Sequence, residues 1–595
     1  DDAEKYLQEC IRITEQMRRV SMSVDLTAAF SARVHQRYEK YIDCMMRKYR
    51  VSQSDNLEIE AFKTSELERA RALTELLHAT QANLFPGLDP EIAMKEKRLR
   101  ESLRMIENAK VKLLSGKYTK AQIESLEAKY EQLKAEHTQL LAEIRARNPS
   151  YEQTIRPTAW ELSRIQQQVI PDDQTVLLEY SIGSEKSYLW TITRNEIKSH
   201  ELPDESKIAD VADRVSKLLK TAPSPSGNTE TELTAAAQEL AQMILWPAAE
   251  ELNRNRIIVI ADGVLNYIPF QILPSPSNNE PLVASKEIIN APSASILGDL
   301  QLEAAQRQPA TNLLAAFGDP VFVPRNVESK NTNSGESTVA MAQLRSALRD
   351  IQPNSDLSAV NRLFYAKQEL DSLRAVAGEK ALIVSDYAAT RDEFLKTDLT
   401  QYSMLHLVTH GYFDPKQPES SGFLLSNIDR EGKALQGFVG LKDIYELRAP
   451  VLLVVLSACQ TALGDNVRGE GLLGVTRGFM YAGASSVVAS LWQVDDEATA
   501  ELMKLFYSNM LERGMEPGQA LRAAQNSIRQ RPGWHSPYYW AAFTIQGKYD
   551  EVIRPQHRGL ASRWKLSLAV VFLVFTVPAA WYGRRRWVRR NQFVV

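Results

Sequence analysis

Cysteine is scarce in this sequence: three residues in 595, at positions 10, 44 and 459. Three scattered thiols make no disulfide framework and fit a reducing compartment. No CxxC pair and no paired-histidine spacing occurs, so no metal site is expected. The absence of a GxxxxGK[ST] loop argues against a P-loop nucleotide hydrolase. Charge of one sign is not in excess either: the net charge is −3, and no nucleic-acid partner is inferred. There is no initiating methionine before Asp1, so the chain is expected to be a fragment or a processed product. What is present, 44 % hydrophobic and 24 % charged residues, is ordinary globular composition at a length that suits two to four domains.

Residues 1–88 read as helical. In "ERARALTELLHAT", Ala70, Leu73, Leu76 and Leu77 share one face at helical spacing, and "YEKYIDCMMRKY" is amphipathic in the same way. Such helices suit the end of a tetratricopeptide-like array, although no 34-residue repeat is visible. "FPGLDP" at 85–90 breaks the pattern. Over 89–150, Ile123, Leu126, Tyr130, Leu133, His137, Leu140 and Ile144 alternate by three and four, and Leu99, Leu103, Ile106 and Leu113 offer a facing seam. With "SGKYT" at 115–119 as the turn, this predicts an antiparallel helical hairpin, or coiled coil.

Beyond "NPSY" the character changes. "TVLLEYSI" and "SYLWTITR" flank a short turn and predict a β-hairpin; a helix is expected over about 232–252, then the strand "RIIVIAD". "SPSGNTETE" (224–232) reads as a flexible loop, and "NVESKNTNSGEST" (326–338) as a disordered segment. From 313 onward, "LLAAF", "ALIVS", "MLHLVTH", "VLLVVLSA", "SSVVASLW" and "AAFTI" are near-continuous apolar runs separated by helical patterns. Such runs are strands buried on both faces, which predicts an α/β fold with a mostly parallel sheet and helices on both faces.

"LSLAVVFLVFTVPAAWY" (566–582) has no charge over 17 residues, with Trp564, Trp581 and Tyr582 at its ends and Arg584, Arg585, Arg586, Arg589 and Arg590 beyond. That composition predicts a single transmembrane helix over 565–583, reached through a linker at 548–564 and followed by a basic tail at 584–595. Arg554, Arg558, Arg563 and Lys565 make the near side basic as well, so orientation stays open. Cysteine usage makes a cytoplasmic catalytic part the expectation.

Two stretches concentrate the chemistry. "MLHLVTHGYFD" (404–414) and "VVLSACQTALG" (454–464) are both apolar strands that end in a reactive side chain. Ligands bind at the carboxyl ends of parallel strands. His410 and Cys459 would meet there if their strands are neighbours, and their separation of about 50 residues is one that caspases use. An imidazole beside a thiol takes its proton, the thiolate attacks a carbonyl carbon, and the imidazolium then protonates the leaving amine. The oxyanion needs backbone donors, for which the N–H groups of Gly411 and Cys459 are the candidates. A lone cysteine is more often a packing residue, and Cys10 and Cys44 are read so; His406 is read as a satisfied core histidine.

The same region resembles the CHAT peptidases, caspase-like cysteine proteases related to separase and often appended to tetratricopeptide repeats. The match runs in order through "YAKQELDSLRAVAG", "AATRDEFLK", "LHLVTHGYF", "SGFLLS", "LKDIYELRAPVLLVVLSACQT", "GEGLLGVTRGFMYAGASSVVASLWQVDDEATAELMKLFY", "ALRAAQNSIR" and "YYWAAFTIQG". Upstream, "RIIVIADGVLNYIPFQIL" resembles the N-terminal half of that family, a lobe without the dyad, and "AFKTSELERARALTELL" looks like the helices that precede it. The resemblance implies two caspase-like lobes, at 160–310 and 311–547, the second catalytic. It also implies a His410–Cys459 dyad, peptide-bond cleavage and no cofactor.

"SLWQVDDEAT" (490–499) is the candidate specificity segment. Trp492 would wall the pocket, and Asp495 or Asp496 would neutralise a basic side chain of the substrate. Separases carry a similar tryptophan-containing segment ending in an aspartate and prefer arginine; position 496 lines up with that aspartate, while Gln493 replaces an acid. Acids opening a helix are equally expected from capping alone. The glycine-punctuated "GDNVRGEGLLG" after the cysteine reads as a loop entering a helix.

The expectation is thus a membrane-anchored cysteine endopeptidase acting on a protein or peptide substrate, with a protein activator on its helical part. A non-catalytic membrane scaffold on the same fold, and a thiol-dependent ligase built on the same dyad, stay open as alternatives.

Overall fold

The computed structural model of the chain describes residues 2–18, 24–69, parts of 91–106, 120–147, 159–223, 228–322, 363–412, 421–433, 435–458, 466–467, 471–472, 474–492 and 495–554. Outside them lie Cys459, the break at 85–90, the turn at 115–119, Leu113, the 326–338 segment and the apolar stretch at 565–583. Among the described residues, no helix is long and apolar enough to cross a membrane.

Three helices lead: α1 (Asp2–Arg18), α2 (Val24–Ser52) and α3 (Asp55–Glu68). They bury Ile11, Tyr38, Tyr41, Ile42, Met45, Met46, Ala61 and Phe62 in the same hydrophobic core as the sheet. A long helix, α4 (Lys120–Arg147), carries one side of the predicted seam. Leu140 is buried and Leu126, Tyr130, Leu133 and His137 are half-buried, whereas the residues between them are mostly exposed. Leu99, Leu103 and Ile106, also helical, are buried.

The sheet begins with the predicted hairpin, β1 (Thr175–Ser181) and β2 (Ser187–Ile192), extended by β3 (Ile197–Leu202). Then come α5 (Glu205–Leu219), α6 (Asn228–Ile244), β4 (Arg256–Ile260), β5 (Glu287–Asn290) and α7 (Ala294–Ala305). α6 differs from expectation at both ends. It starts at Asn228, within the stretch read as loop, and it stops at Ile244 rather than near 252 because Pro247 supplies no N–H and its ring crowds the preceding turn.

The second half holds β6 (Asn312–Gly318), α8 (Ala366–Ala377), β7 (Ala381–Ser385), β8 (Tyr402–Tyr412), β9 (Gly422–Leu424), β10 (Phe438–Gly440) and β11 (Leu453–Ala458). A two-residue pair, β12 (Asn466–Val467) with β13 (Gly471–Leu472), precedes α9 (Val475–Tyr481), β14 (Ser486–Ser490), α10 (Asp496–Tyr507), α11 (Pro517–Arg529) and β15 (Phe543–Gly547).

The two halves share one 13-stranded sheet, in the order β7-β6-β8-β11-β14-β15-β5-β4-β1-β2-β3, with β9 and β10 added to the far end of β8. The interior of each half is parallel, as the unbroken apolar runs predict, but both flanks (β2–β3 and β9–β10) are antiparallel. β15 runs antiparallel to β14 and meets β5 through Gln546 and Asn290. That pairing removes the edge each lobe would otherwise expose. Arg256 reinforces the seam: it bonds Glu287 at 2.9 Å and Glu516 at 2.8 Å and stacks over Tyr549.

Polar groups bind the leading helices to the first half. Glu66 of α3 accepts the N–H groups of Ala294 and Ser295, each at 2.8 Å, so a carboxylate satisfies free donors at the start of α7. Arg69 donates to Ala261 O at 2.8 Å and lies 3.3 Å from Glu179 and 3.6 Å from Asp262. Burial, together with the nearby Glu66 charge, pushes the Glu179 carboxyl well up, which favours its protonated form.

His35 of α2 pairs with Glu68 of α3 out of solvent. Burial alone would lower the imidazole, yet Glu68, with Asp262 and Glu39 behind it, raises it to about 9. A raised folded-state pKa stabilises fully below the unfolded value near about 6.5, and that contribution is lost as pH rises through about 9. Protection of α2 and α3 against hydrogen exchange, after correction for intrinsic rates, is therefore expected to fall between those limits. His35→Gln should flatten the dependence; an unchanged slope in that variant would contradict the assignment.

Candidate active site

β8 is the strand that changes partners. Over Tyr402–Val408 it pairs in parallel with β6, and over Met404–Thr409 with β11. β6 then stops at Gly318 beside Val408, and β11 is described as far as Ala458, beside Thr409. β8 runs on, and His410, Gly411 and Tyr412 pair antiparallel with Leu424, Phe423 and Gly422 of β9. The Thr409 hydroxyl donates to Leu424 O and secures the change of partner. Close approach is built in by glycine: a Cβ on Gly422 would lie 2.1 Å from Val439 O of β10.

His410 therefore stands just past the parallel pairing of its strand, at the carboxyl edge of the parallel sheet, the edge at which such sheets bind ligands. It is half-buried, and its ring lies 5.6 Å from that of Phe322, tilted by 47°. Asp496, the first residue of α10, is close enough to feel its charge. Burial lifts the Asp496 carboxyl, while His410 pulls it back. Cys459 follows Ala458 directly in the sequence but lies outside the described residues. Gly411 occupies the β8–β9 ladder next to His410.

The three candidate specificity residues part company. Trp492 is 2 % exposed and belongs to the core, with its indole N–H donating to Tyr538 O at 3.2 Å. Asp495 caps α10 by accepting the Ala498 N–H at 2.9 Å, as the capping alternative requires. The Asp496 carboxyl feels the His410 charge and also accepts a backbone hydrogen bond from Phe364. Cys10 is exposed on α1, unlike the packed residue expected, while Cys44 is half-buried against the core.

Four residues before His410 on β8 begins a cluster that sequence reading did not assemble. His406, fully buried on β8, meets Glu369 of α8 through Nε2 at 2.8 Å and Tyr507 of α10 through Nδ1 at 2.9 Å. Ser457 of β11 donates to the other Glu369 oxygen at 3.1 Å. His406 is thus the satisfied core histidine expected. The available signal for Glu369 was its place on the apolar stripe formed by Ala366, Leu370, Leu373 and Ala377. No group of three or more metal-ligating side chains suited to a metal ion occurs among the described residues.

An imidazole just past the parallel part of its strand, a carboxyl that feels its charge, and an adjacent parallel strand followed in sequence by a cysteine are groups suited to nucleophilic catalysis. Among solved structures, the chain is similar to the Saccharomyces cerevisiae separase–securin complex at 9 % identity and a TM-score of 0.35, over 93 % of this chain and 49 % of that one. It is similar to the complex of Porphyromonas gingivalis RgpB pro- and mature domains at 12 % identity and a TM-score of 0.33, over 59 % of this chain and 78 % of that one. Among curated proteins, tetratricopeptide repeat protein 28 of Homo sapiens is 23 % identical over 338 residues and its Mus musculus counterpart 24 % over 314. Each match takes in 51 % of this chain but only 12 % of the relative's length. The CHAT domain model matches residues 234–548. With more than half of its 595 residues covered by that model, the chain belongs to the CHAT domain family.

Proposed function

We propose that the chain is a cysteine endopeptidase that cuts a protein substrate with His410 and Cys459. One observation carries this reading: β8 and β11 are adjacent, parallel and in register up to Thr409 and Ala458, and the next residues in the two sequences are His410 and Cys459. Membership of the CHAT domain family supports the same reading.

In the proposed reaction the Cys459 thiol gives its proton to His410, and sulfur bonds to the scissile carbonyl carbon. The N–H groups of Gly411 and Cys459 receive the oxyanion. The C–N bond then breaks as His410 returns the proton to the leaving amine. Water, deprotonated by His410, hydrolyses the thioester and frees the thiol. The Asp496 carboxyl, which feels the His410 charge and takes a backbone hydrogen bond from Phe364, is the group proposed to favour a basic side chain before the cut bond; Asp495 is committed to its helix cap. A comparison of new protein N-termini between cells with the wild-type chain and cells with Cys459→Ala tests both parts. Termini that depend on Cys459 and follow Arg or Lys are expected. Identical sets would refute the protease and leave a scaffold, and Cys459-dependent joined products would indicate a ligase.

The proposal includes a membrane anchor at 565–583, with the catalytic part on the cytoplasmic side, and activation by a protein bound to the leading helices. Its support is the charge-free stretch at 566–582 and the packing of α2 and α3 onto the first half of the sheet. Deleting residues 566–595 is expected to move the protein from the membrane to the soluble fraction; firm membrane association of the shortened chain would contradict the anchor.

A further inference from the structure

Glu369 faces two strands at once. Its Oε1 holds His406 of β8 and its Oε2 holds Ser457 of β11, four residues before His410 and two before Cys459 in sequence. The carboxyl is about 3 % exposed, and no Lys or Arg is within ion-pair distance of it among the described residues. Burial, and then the Glu369 charge, push the Tyr507 phenol well up, so it keeps its hydrogen beside His406 Nδ1. Both ring nitrogens of His406 are thereby engaged, Nδ1 with the Tyr507 hydroxyl and Nε2 with Glu369. Each hydrogen-bonding group of the four side chains then has a partner, as a buried polar network requires.

Resting on the dyad reading above, we infer that Glu369 is a positioning residue for the reaction. Its one carboxylate ties the two strands that lead to His410 and Cys459, and places a negative charge behind them. Nothing local in the sequence demands a glutamate on the apolar stripe of α8; the two strands do. Among the described residues, the other titratable groups near this end of the sheet include Asp319 after β6, whose N–H donates to Val408 O, His406 and His410 from β8, Tyr365 before α8, and Tyr507 and Asp496 from α10. Asp496 feels both His410 and Glu369. Asp495 and Glu497 open the same helix and act alongside it.

Glu369→Gln separates charge from geometry. The amide oxygen still accepts from His406 and the amide nitrogen can donate to Ser457, so the tie survives and the charge does not. The experiment alkylates the full-length chain with iodoacetamide across pH 5–10 and follows each cysteine by peptide mass spectrometry. Removing a negative charge eases thiolate formation, so the Cys459 midpoint is expected to fall by about half a pH unit or more, with Cys10 and Cys44 unmoved. Ser457→Ala keeps the charge and cuts the tie to β11. It is expected to slow cleavage by roughly ten-fold at unchanged KM, and Ser457→Thr, which keeps the hydroxyl, should restore it.

An unmoved Cys459 midpoint in Glu369→Gln protein with wild-type melting would overturn the inference. Should that variant not fold, cleavage by Ser457→Ala at the wild-type rate would do so. The alkylation arm needs no protease activity. Failure of the protease reading therefore shows as a normal shift without Cys459-dependent cleavage, and failure of this inference as Cys459-dependent cleavage with an unmoved profile.

Discussion

Cys459→Ala is expected to reduce cleavage of a responsive substrate by at least about a thousand-fold, and His410→Ala by a comparable factor. The two residues are proposed to act as one unit, because the thiol without its base is mostly protonated and the base without a thiol has nothing to activate. The double variant is therefore expected to be no worse than either single one. Neither change should alter melting, since Cys459 and His410 are proposed to sit at an open sheet edge and His410 is only half-buried. Rates measured on one peptide with all three variants, alongside thermal melts, check this. Multiplying losses would indicate that the two side chains act independently, and full activity of either single variant would remove it from the mechanism.

The second large effect is structural. Arg69 is 7 % exposed, and Arg69→Met would leave buried Asp262 and the Ala261 carbonyl without their cation and donor. Breaking a buried charged contact by removing one partner costs about 3 kcal/mol or more, close to a hundred-fold in an opening equilibrium. The protonation favoured at Glu179 moderates the loss at that residue and leaves the Asp262 contact exposed to it. Faster hydrogen exchange by roughly that factor is expected in α3 and at the start of α7, where Glu66 holds the first N–H groups. β8 and β11 belong to the other half of the sheet and should exchange as before. Unchanged protection of α3 would show that apolar packing of residues such as Phe62 against Trp190 suffices to hold the helices.

Much of the sheet was legible because parallel strands buried on both faces carry continuous apolar runs. β7, β11 and β14 fall within runs picked out in the sequence, β6, β8 and β15 overlap theirs and extend beyond them, and the β1–β2 hairpin shows in its aromatic and β-branched strands. β3 did not show, since "IKSHEL" is an edge strand with polar side chains, and β5, β9 and β10 are only three or four residues long. α5 was legible and stays unassigned in the sequence reading, although Ile208, Val211, Ala212, Val215 and Leu219 repeat at helical spacing.

Around the site, His410 was readable from its place at the end of an apolar run, a local property of the sequence, although β8 does not end there as expected and runs on to Tyr412 through its pairing with β9. The Glu369 cluster was not, because its bonded pairs, Glu369 with His406, Glu369 with Ser457 and His406 with Tyr507, lie 37, 88 and 101 residues apart along the chain and meet only through the pairing of β8 with β11 and the packing of α8 against α10. The two acids that open α10 look equivalent in sequence. Capping geometry separates them, because the cap position commits Asp495 to the Ala498 N–H, while the Asp496 carboxyl feels the His410 charge.

The most direct check of the whole account is the distance between the His410 imidazole and the Cys459 sulfur in an experimental structure of the chain trapped with a peptidyl electrophile. A covalent bond to that sulfur, with a ring nitrogen within about 4 Å of it, is the predicted result. Electrophile on another residue, or a ring remote from an unmodified Cys459, would contradict it.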